Sequence, residues 1–331
     1  MNKRREFVLG VASGLSTLAV PFAVLAQQSP GKVRRIGFLG SGGAGAAAKP
    51  LEALRAGLRE LGYTEGGNIV IEYRYAEGKF DRLPDLAADL LRQKVELIVV
   101  WGTPAALAVK RATSTLPIVM VSVGDPVDTG LIASLPRPGG NVTGTSNLGG
   151  TVVAKQLELF TQVVPGMSRI AILRNPENPS LVPQVKGAES TARALGLQLQ
   201  IFDVRALEDF DAAFARMVAA RASGLLVLAE PLFFDQRRPI AELALKHRLP
   251  TVTARSEIVD AGVLMSYGAS AIQQYRDGAR YVDRILRGAK PADLPVEQAS
   301  TFELVINMKT AKRLGITIPQ SVLARADRVI E

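Results

Sequence analysis

Cysteine is absent from this chain of 331 residues, and histidine and tryptophan occur once each, as His247 and Trp101. Without cysteine there is no disulfide, no thiolate nucleophile and no thiolate-bound metal. A single histidine excludes a His-rich metal centre and leaves His247 as the only base for a Ser-His-Asp triad. It sits in Ala244-Leu245-Lys246-His247-Arg248, the end of a helical pattern, where a polar or cationic group suits a helix C-terminus. Runs of one charge are also missing. The formal charge is +9, but lysine and arginine are scattered among acids, and no tract of five like charges occurs. That describes a solvated basic surface rather than a nucleic-acid interface. No G-x-S-x-G elbow, H-E-x-x-H pair or Walker A loop is present. Hydrophobic residues make up 47% of the chain, enough for a core held by packing alone.

Only one long apolar run occurs, from Val8 to Leu25, behind Lys3-Arg4-Arg5 and closing in Val24-Leu25-Ala26. A basic start, an apolar middle and a small-residue exit are the parts of a secretory signal peptide, here residues 1–26. The Arg4-Arg5 pair followed by Glu6-Phe7-Val8-Leu9 resembles a twin-arginine signal, and the general route stays open beside it. The alternative is an uncleaved anchor, which two glycines and a proline in the run disfavour.

From residue 33 strand and helix patterns alternate. Strands are expected at 33–39, 68–75, 95–101, 117–123 and 141–145, with helices between them and a short one near 131–135. The pattern then restarts, with strands at 169–173, 197–204, 224–229, 250–253 and 262–268. Such alternation predicts two doubly wound α/β lobes with parallel sheets. A tail with helices over 275–288 and 309–315 must return to one or both lobes, so several chain crossings would form a hinge. Ligands of such sheets bind beyond the carboxyl ends of the strands.

Several strand ends carry candidate chemistry. Gly40-Ser41-Gly42-Gly43-Ala44-Gly45 fits the dinucleotide fingerprint G-x-G-x-x-G after a strand. Against that reading, the helix is expected to open only near Pro50, and the next acid, Glu72, falls in mid-strand. A small-residue loop that brings backbone N–H groups to any ligand is the alternative. Thr103-Pro104 reads as an N-cap and first helical residue, whose amides would receive a ligand carboxylate. Asp125 suits either an ammonium group or an Asx turn, while Asn175, Glu230 and Arg255 lie at strand ends of the second lobe.

The segments Arg35-Ile36-Gly37-Phe38-Leu39, Leu58-Arg59-Glu60-Leu61-Gly62-Tyr63, Gly102-Thr103-Pro104-Ala105-Ala106, Gly124-Asp125-Pro126-Val127 and Arg137-Pro138-Gly139-Gly140-Asn141-Val142-Thr143-Gly144 carry a family resemblance. Lys309 to Pro319 extends it. Residues from about 33 to 331 resemble the ABC-transporter substrate-binding family that includes the tryptophan-binding proteins, with a type I periplasmic-binding fold.

The resemblance implies a monomeric, non-enzymatic periplasmic receptor without cofactor or metal, which closes on a small solute, such as an amino acid, and delivers it to an ABC permease. It implies a first lobe of 33–145 with about 268–297, and a second of 146–267 with about 298–331. It places Ser41, Gly42, Thr103, Pro104, Ala105 and Asp125 on the first-lobe side of the cleft, and Asn175 and Glu230 on the second. Asn147 and Tyr267 would line a hinge wall. A ligand carboxylate would meet the amides of Thr103 to Ala105, and its amine Asp125 or Glu230. The run Gly42 to Ala48 carries almost no side-chain functionality, so the ligand stays open. Two other readings remain: an exported NAD(P)-dependent oxidoreductase using the Gly40–Gly45 loop, and a ligand-sensing ectodomain.

Overall fold

Buried apolar runs such as Ile98-Val99-Val100-Trp101 are covered on both faces, as strands of a helix-flanked parallel sheet must be. The computed structural model describes residues 33–147 and 149–331, so the expected signal peptide lies outside the described residues. Val33–Glu331 forms one compact unit.

The first half supplies β1 (Arg34–Gly40), β2 (Ile69–Tyr75), β3 (Ile98–Trp101), β4 (Ile118–Gly124) and β5 (Val142–Asn147). The second supplies β6 (Arg169–Arg174), β7 (Gln198–Asp203), β8 (Gly224–Val227), β9 (Thr251–Thr253) and β10 (Met265–Ala269). The tail adds β11 (Glu297–Gln298), β12 (Phe302–Asn307) and β13 (Arg328–Ile330). One sheet runs β11-β5-β4-β3-β1-β2 and the other β13-β12-β10-β9-β8-β6-β7. The five main strands of each sheet therefore share the order 2-1-3-4-5. Every pairing is parallel except β10 with β12. In such a sheet the switch point lies between the first and third strands, and ligands gather at the carboxyl ends.

The chain passes between the sheets three times: after β5, after β10, and from β11 to β12. The helix Ala271–Leu286 follows the second passage and packs on β4, β5 and the helix Ala44–Glu60. The last two passages run side by side, with Ser270 N–H donating to the Thr301 carbonyl at 3.1 Å. One hydrophobic cluster contains side chains of both sheets and of helices packed on them, Trp101 and Phe234 among them.

Some local expectations are corrected. The first helix opens at Ala44, inside the glycine-rich loop, and Pro50 lies within it rather than at its start. No helix forms at 131–135. Lys110 Nζ donates to the carbonyls of Gly130 and Leu131 at 2.6 and 3.0 Å, and Pro136 and Pro138 stop a helix from continuing beyond this stretch. Asp81 lies in a 3-10 turn, Phe80–Arg82, rather than capping the helix Leu83–Arg92. Of the tail strands none was expected.

Candidate functional site

The two sheets present their carboxyl ends to a common cleft of about 750 Å³, part of it open to solvent. From the first sheet it is lined by Trp101 at the end of β3 with Gly102 and Thr103 after it, Ser122 and Gly124 at the end of β4, and Asn147 closing β5. From the second come Asn178 after β6, Glu230 and Phe234 after β8, and Arg255 after β9.

Ser122 reaches the cleft through a backbone irregularity. Between Met120 and Val123, β4 carries one residue more than its partner β5, and Ser122 takes φ +54°. Such a bulge re-aims side chains beside functional sites. It demands glycine opposite: Gly144 has φ +128°, and a Cβ there would stand 2.2 Å from the Met120 carbonyl oxygen. Asn147 Nδ2 donates to Ser122 Oγ at 3.2 Å, while its buried Oδ1 has no hydrogen-bond partner in the protein.

The helix Thr103–Ala112 points its N-terminus at the cleft, but its cap differs from the expected one. Gly102 occupies the N-cap position, and the capping oxygen comes from Ser41, whose Oγ accepts from Ala105 N–H at 3.0 Å. Thr103 Oγ1 instead bonds the backbone of Gly124 at 3.3 Å. Pro104 has no N–H, so among the first three helical residues only the Thr103 amide is left for a ligand.

On the opposite side Glu230 is 4% exposed and held by three donors. Asn175 Nδ2 and Leu232 N–H reach its Oε1 at 3.3 and 3.4 Å, and Asn178 Nδ2 reaches Oε2 at 2.6 Å. Asn178 is itself oriented, because its Oδ1 accepts from Ser180 N–H and Oγ. Burial pushes the Glu230 carboxyl up to about 7, against donors that favour its ionised form. Phe234 belongs to the short helix Pro231–Asp235, its ring edge-on to Trp101 at 6.2 Å across the cleft. The Arg255 guanidinium lies 4.6 Å over that ring. It donates to Ser122 Oγ at 3.4 Å and to Glu257 Oε1 at 3.3 Å, while its buried Nε has no partner.

Beside the cleft the lobes also meet through Asp235, whose Oδ2 accepts from Gly43 N–H at 2.7 Å. Burial raises this carboxyl to about 6. A Cβ on Gly42 would stand 2.7 Å from the Trp101 ring and 3.0 Å from Asp235 Oδ2.

Of the residues singled out from sequence, the cleft brings together Thr103, Asn147 and Glu230. The others stand behind or beside it. Ser41 and Ala105 are consumed in capping the helix, and Pro104 is buried next to them. Gly42 packs on Trp101 and Asp235. Asn175 supports Glu230. Tyr267 stacks on Phe302 of β12 at 5.9 Å and is not among the lining residues. Asp125 follows the bulged strand at φ +41°, its buried Oδ2 without a partner; burial, with Asp128 adding, raises it to about 6. Sequence reasoning missed Trp101, Ser122, Asn178 and Phe234 as lining residues, and noted Arg255 only for its place at a strand end. Among the described residues no cluster of three or more potential ligands could hold a metal ion, and no helix is long and apolar enough to cross a membrane.

The family model of ABC transporter substrate binding proteins matches residues 45–330. A tyrosine-binding protein of Clostridioides difficile (strain R20291) is 27% identical over 259 residues, which is 78% of this chain and 74% of that protein. Among solved structures, an ABC domain from Streptococcus pneumonia in complex with L-Trp has a TM-score of 0.85 at 28% identity, covering 90% of this chain and 99% of its own. A conserved domain protein from Vibrio cholerae has a TM-score of 0.86 at 30% identity, over 90% of this chain and 100% of its own. Two parallel-sheet lobes facing one cleft are the type I periplasmic-binding arrangement. The chain belongs to the family of ABC transporter substrate-binding proteins.

Proposed function

We propose that this protein is the periplasmic receptor of an ABC importer, capturing a small zwitterionic solute of the amino-acid class by hinge closure and presenting it to a membrane permease. The observation that carries the reading is the cleft itself. Both sheets line it with strand-end residues, and it holds one buried acid, Glu230, and one guanidinium, Arg255. Relatives whose names specify tyrosine and L-Trp support the solute class. The lobes are taken as 33–145 with about 268–297, and 146–267 with about 298–331, joined by three chain passages that permit bending rather than free rotation. Ligand contacts from both lobes would select the closed form. Export by the leader at 1–26, function as a monomer and absence of catalysis belong to the same reading.

The oxidoreductase alternative fares worse. The amide of Gly43, which a pyrophosphate would need, already bonds the Asp235 carboxylate, whose charge would repel it.

A thermal-shift screen against the twenty amino acids, small carboxylates and nicotinamide dinucleotides tests the proposal. Ligand at about 100 times its Kd adds about 2.7 kcal/mol of stability. A shift with one or a few amino acids is expected. A response to NAD or NADP alone would refute the receptor reading.

A further inference from the structure

We propose that Arg255, rather than the N-terminus of the helix Thr103–Ala112, receives the carboxylate of the bound solute. The inference rests on the amino-acid reading above and deepens it. A helix N-terminus binds an anion through unused amides. Here Pro104 has none, and that of Ala105 is bonded to Ser41. What remains is the single amide of Thr103.

Arg255 has the opposite character. It lines the cleft, it is cationic, and its buried Nε has no partner. An unmet donor on a buried charged group is costly, and an anionic acceptor relieves that cost. Its other contacts fix the guanidinium without consuming it. Phe234 covers one face at 4.6 Å, and Ser122 and Glu257 hold one nitrogen each at 3.4 and 3.3 Å. Arginine presents five donors in a rigid fork, so two tethers leave capacity for a carboxylate.

Position supplies the second argument. Glu230 lies three residues beyond Val227 of β8, and Arg255 two beyond Thr253 of β9. These strands are hydrogen-bonded neighbours, with Val227 paired to Thr253. Adjacent strands lie about 4.8 Å apart. The acid and the guanidinium thus stand beyond neighbouring strand ends, and both line the cleft. Because Arg255 also touches Ser122 of the other lobe, a carboxylate bound there sits at the closing seam.

The test compares each amino acid that binds the wild type with its primary amide, which keeps the ammonium and side chain but loses the negative charge. Calorimetric Kd values are measured for wild type, Arg255→Gln and Arg255→Lys, with circular dichroism to verify folding. A charge-assisted hydrogen bond predicts that the wild type prefers acid over amide by about 10- to 100-fold. In R255Q acid binding should fall by that factor while amide binding changes little, so the preference disappears; R255K should restore part of it. A merely structural role would weaken both ligands equally. An acid-over-amide preference that survives in R255Q, or equal losses for both, overturns the inference and leaves the receptor reading standing. If R255Q does not fold, R255K decides: an unaltered wild-type preference overturns the assignment, a reduced one supports it. If no amino acid binds the wild type, the amino-acid reading falls, and this inference with it.

Discussion

The contact between Asp235 and Gly43 separates two effects that a single substitution would confuse. The carboxylate of one lobe accepts at 2.7 Å from the N-cap residue of the 17-residue helix Ala44–Glu60 on the other. The bond favours closure, and so does the helix dipole. Burying the charge opposes closure, and burial wins: the carboxyl is raised to about 6, with Glu77 adding to the rise and the Gly43 hydrogen bond and Arg237 opposing it. Closing therefore favours the protonated acid over the carboxylate. With the lobes apart, a solvated aspartate would titrate near its ordinary value of about 4. Between about pH 4 and pH 6 closure then takes up a proton, and ligand affinity gains as pH falls from about 6 towards 4. Asp235→Asn keeps an acceptor oxygen and removes the ionisation penalty. Its affinity at pH 8 should equal or exceed that of the wild type, and this component of the pH dependence should vanish. Asp235→Ala removes the same penalty but leaves the Gly43 amide without its partner in the closed form, at about 1–3 kcal/mol relative to Asp235→Asn. Only the closed fraction binds tightly, so its apparent Kd should exceed that of the asparagine variant by about 5- to 150-fold. Calorimetric titration of the three proteins between pH 4 and pH 8 measures both effects. An alanine variant within twofold of the asparagine variant, or an asparagine variant weaker than the wild type at pH 8, would refute this account of the seam.

Two further outcomes concern stability. Gly144→Ala places a Cβ against the Met120 backbone at a φ that L-residues rarely adopt, and should cost at least about 2 kcal/mol, read as a fall in the urea midpoint; an unchanged midpoint would count against the bulge as drawn. The ligand-free protein should melt at a higher temperature near pH 5 than at pH 8. The raised carboxyls of Glu230 and Asp125 keep their protons in the folded state where the unfolded chain has lost them, so stability falls as pH climbs from about 4 through 7. Glu230→Gln should remove much of that slope, and a melting temperature that rises with pH over this window would contradict it.

How far a site can be read from sequence depends here on what a strand end specifies. Hydrophobic alternation between turns locates the end of each strand, and with it the height of a residue above its sheet. That was enough to bring Thr103 and Glu230 to the cleft, while Asn147 came from the family resemblance. It does not specify rotation about the strand. The extra residue in β4 turns Ser122 into the cleft, and Asp125, three residues on, is half-buried outside its lining. Period-two counting has no sign of an inserted residue, although Gly144 on the neighbouring strand was its counterpart in the sequence. Side chains donated across elements were equally hidden. Ser41 was placed at the cleft by the family resemblance, yet its hydroxyl caps a helix that begins 62 residues later. Phe234 follows Glu230-Pro231, where the sequence suggests only a strand stop, but Pro231 opens a five-residue helix that carries the ring back over the cleft. Arg255 was visible as a strand-end residue and nothing more. Its weight comes from Phe234 beneath it and Ser122 across from it, two partners that the sequence places 21 and 133 residues away. Residues that act at the height of their own strand end were legible; those whose role depends on a partner from another element needed the fold.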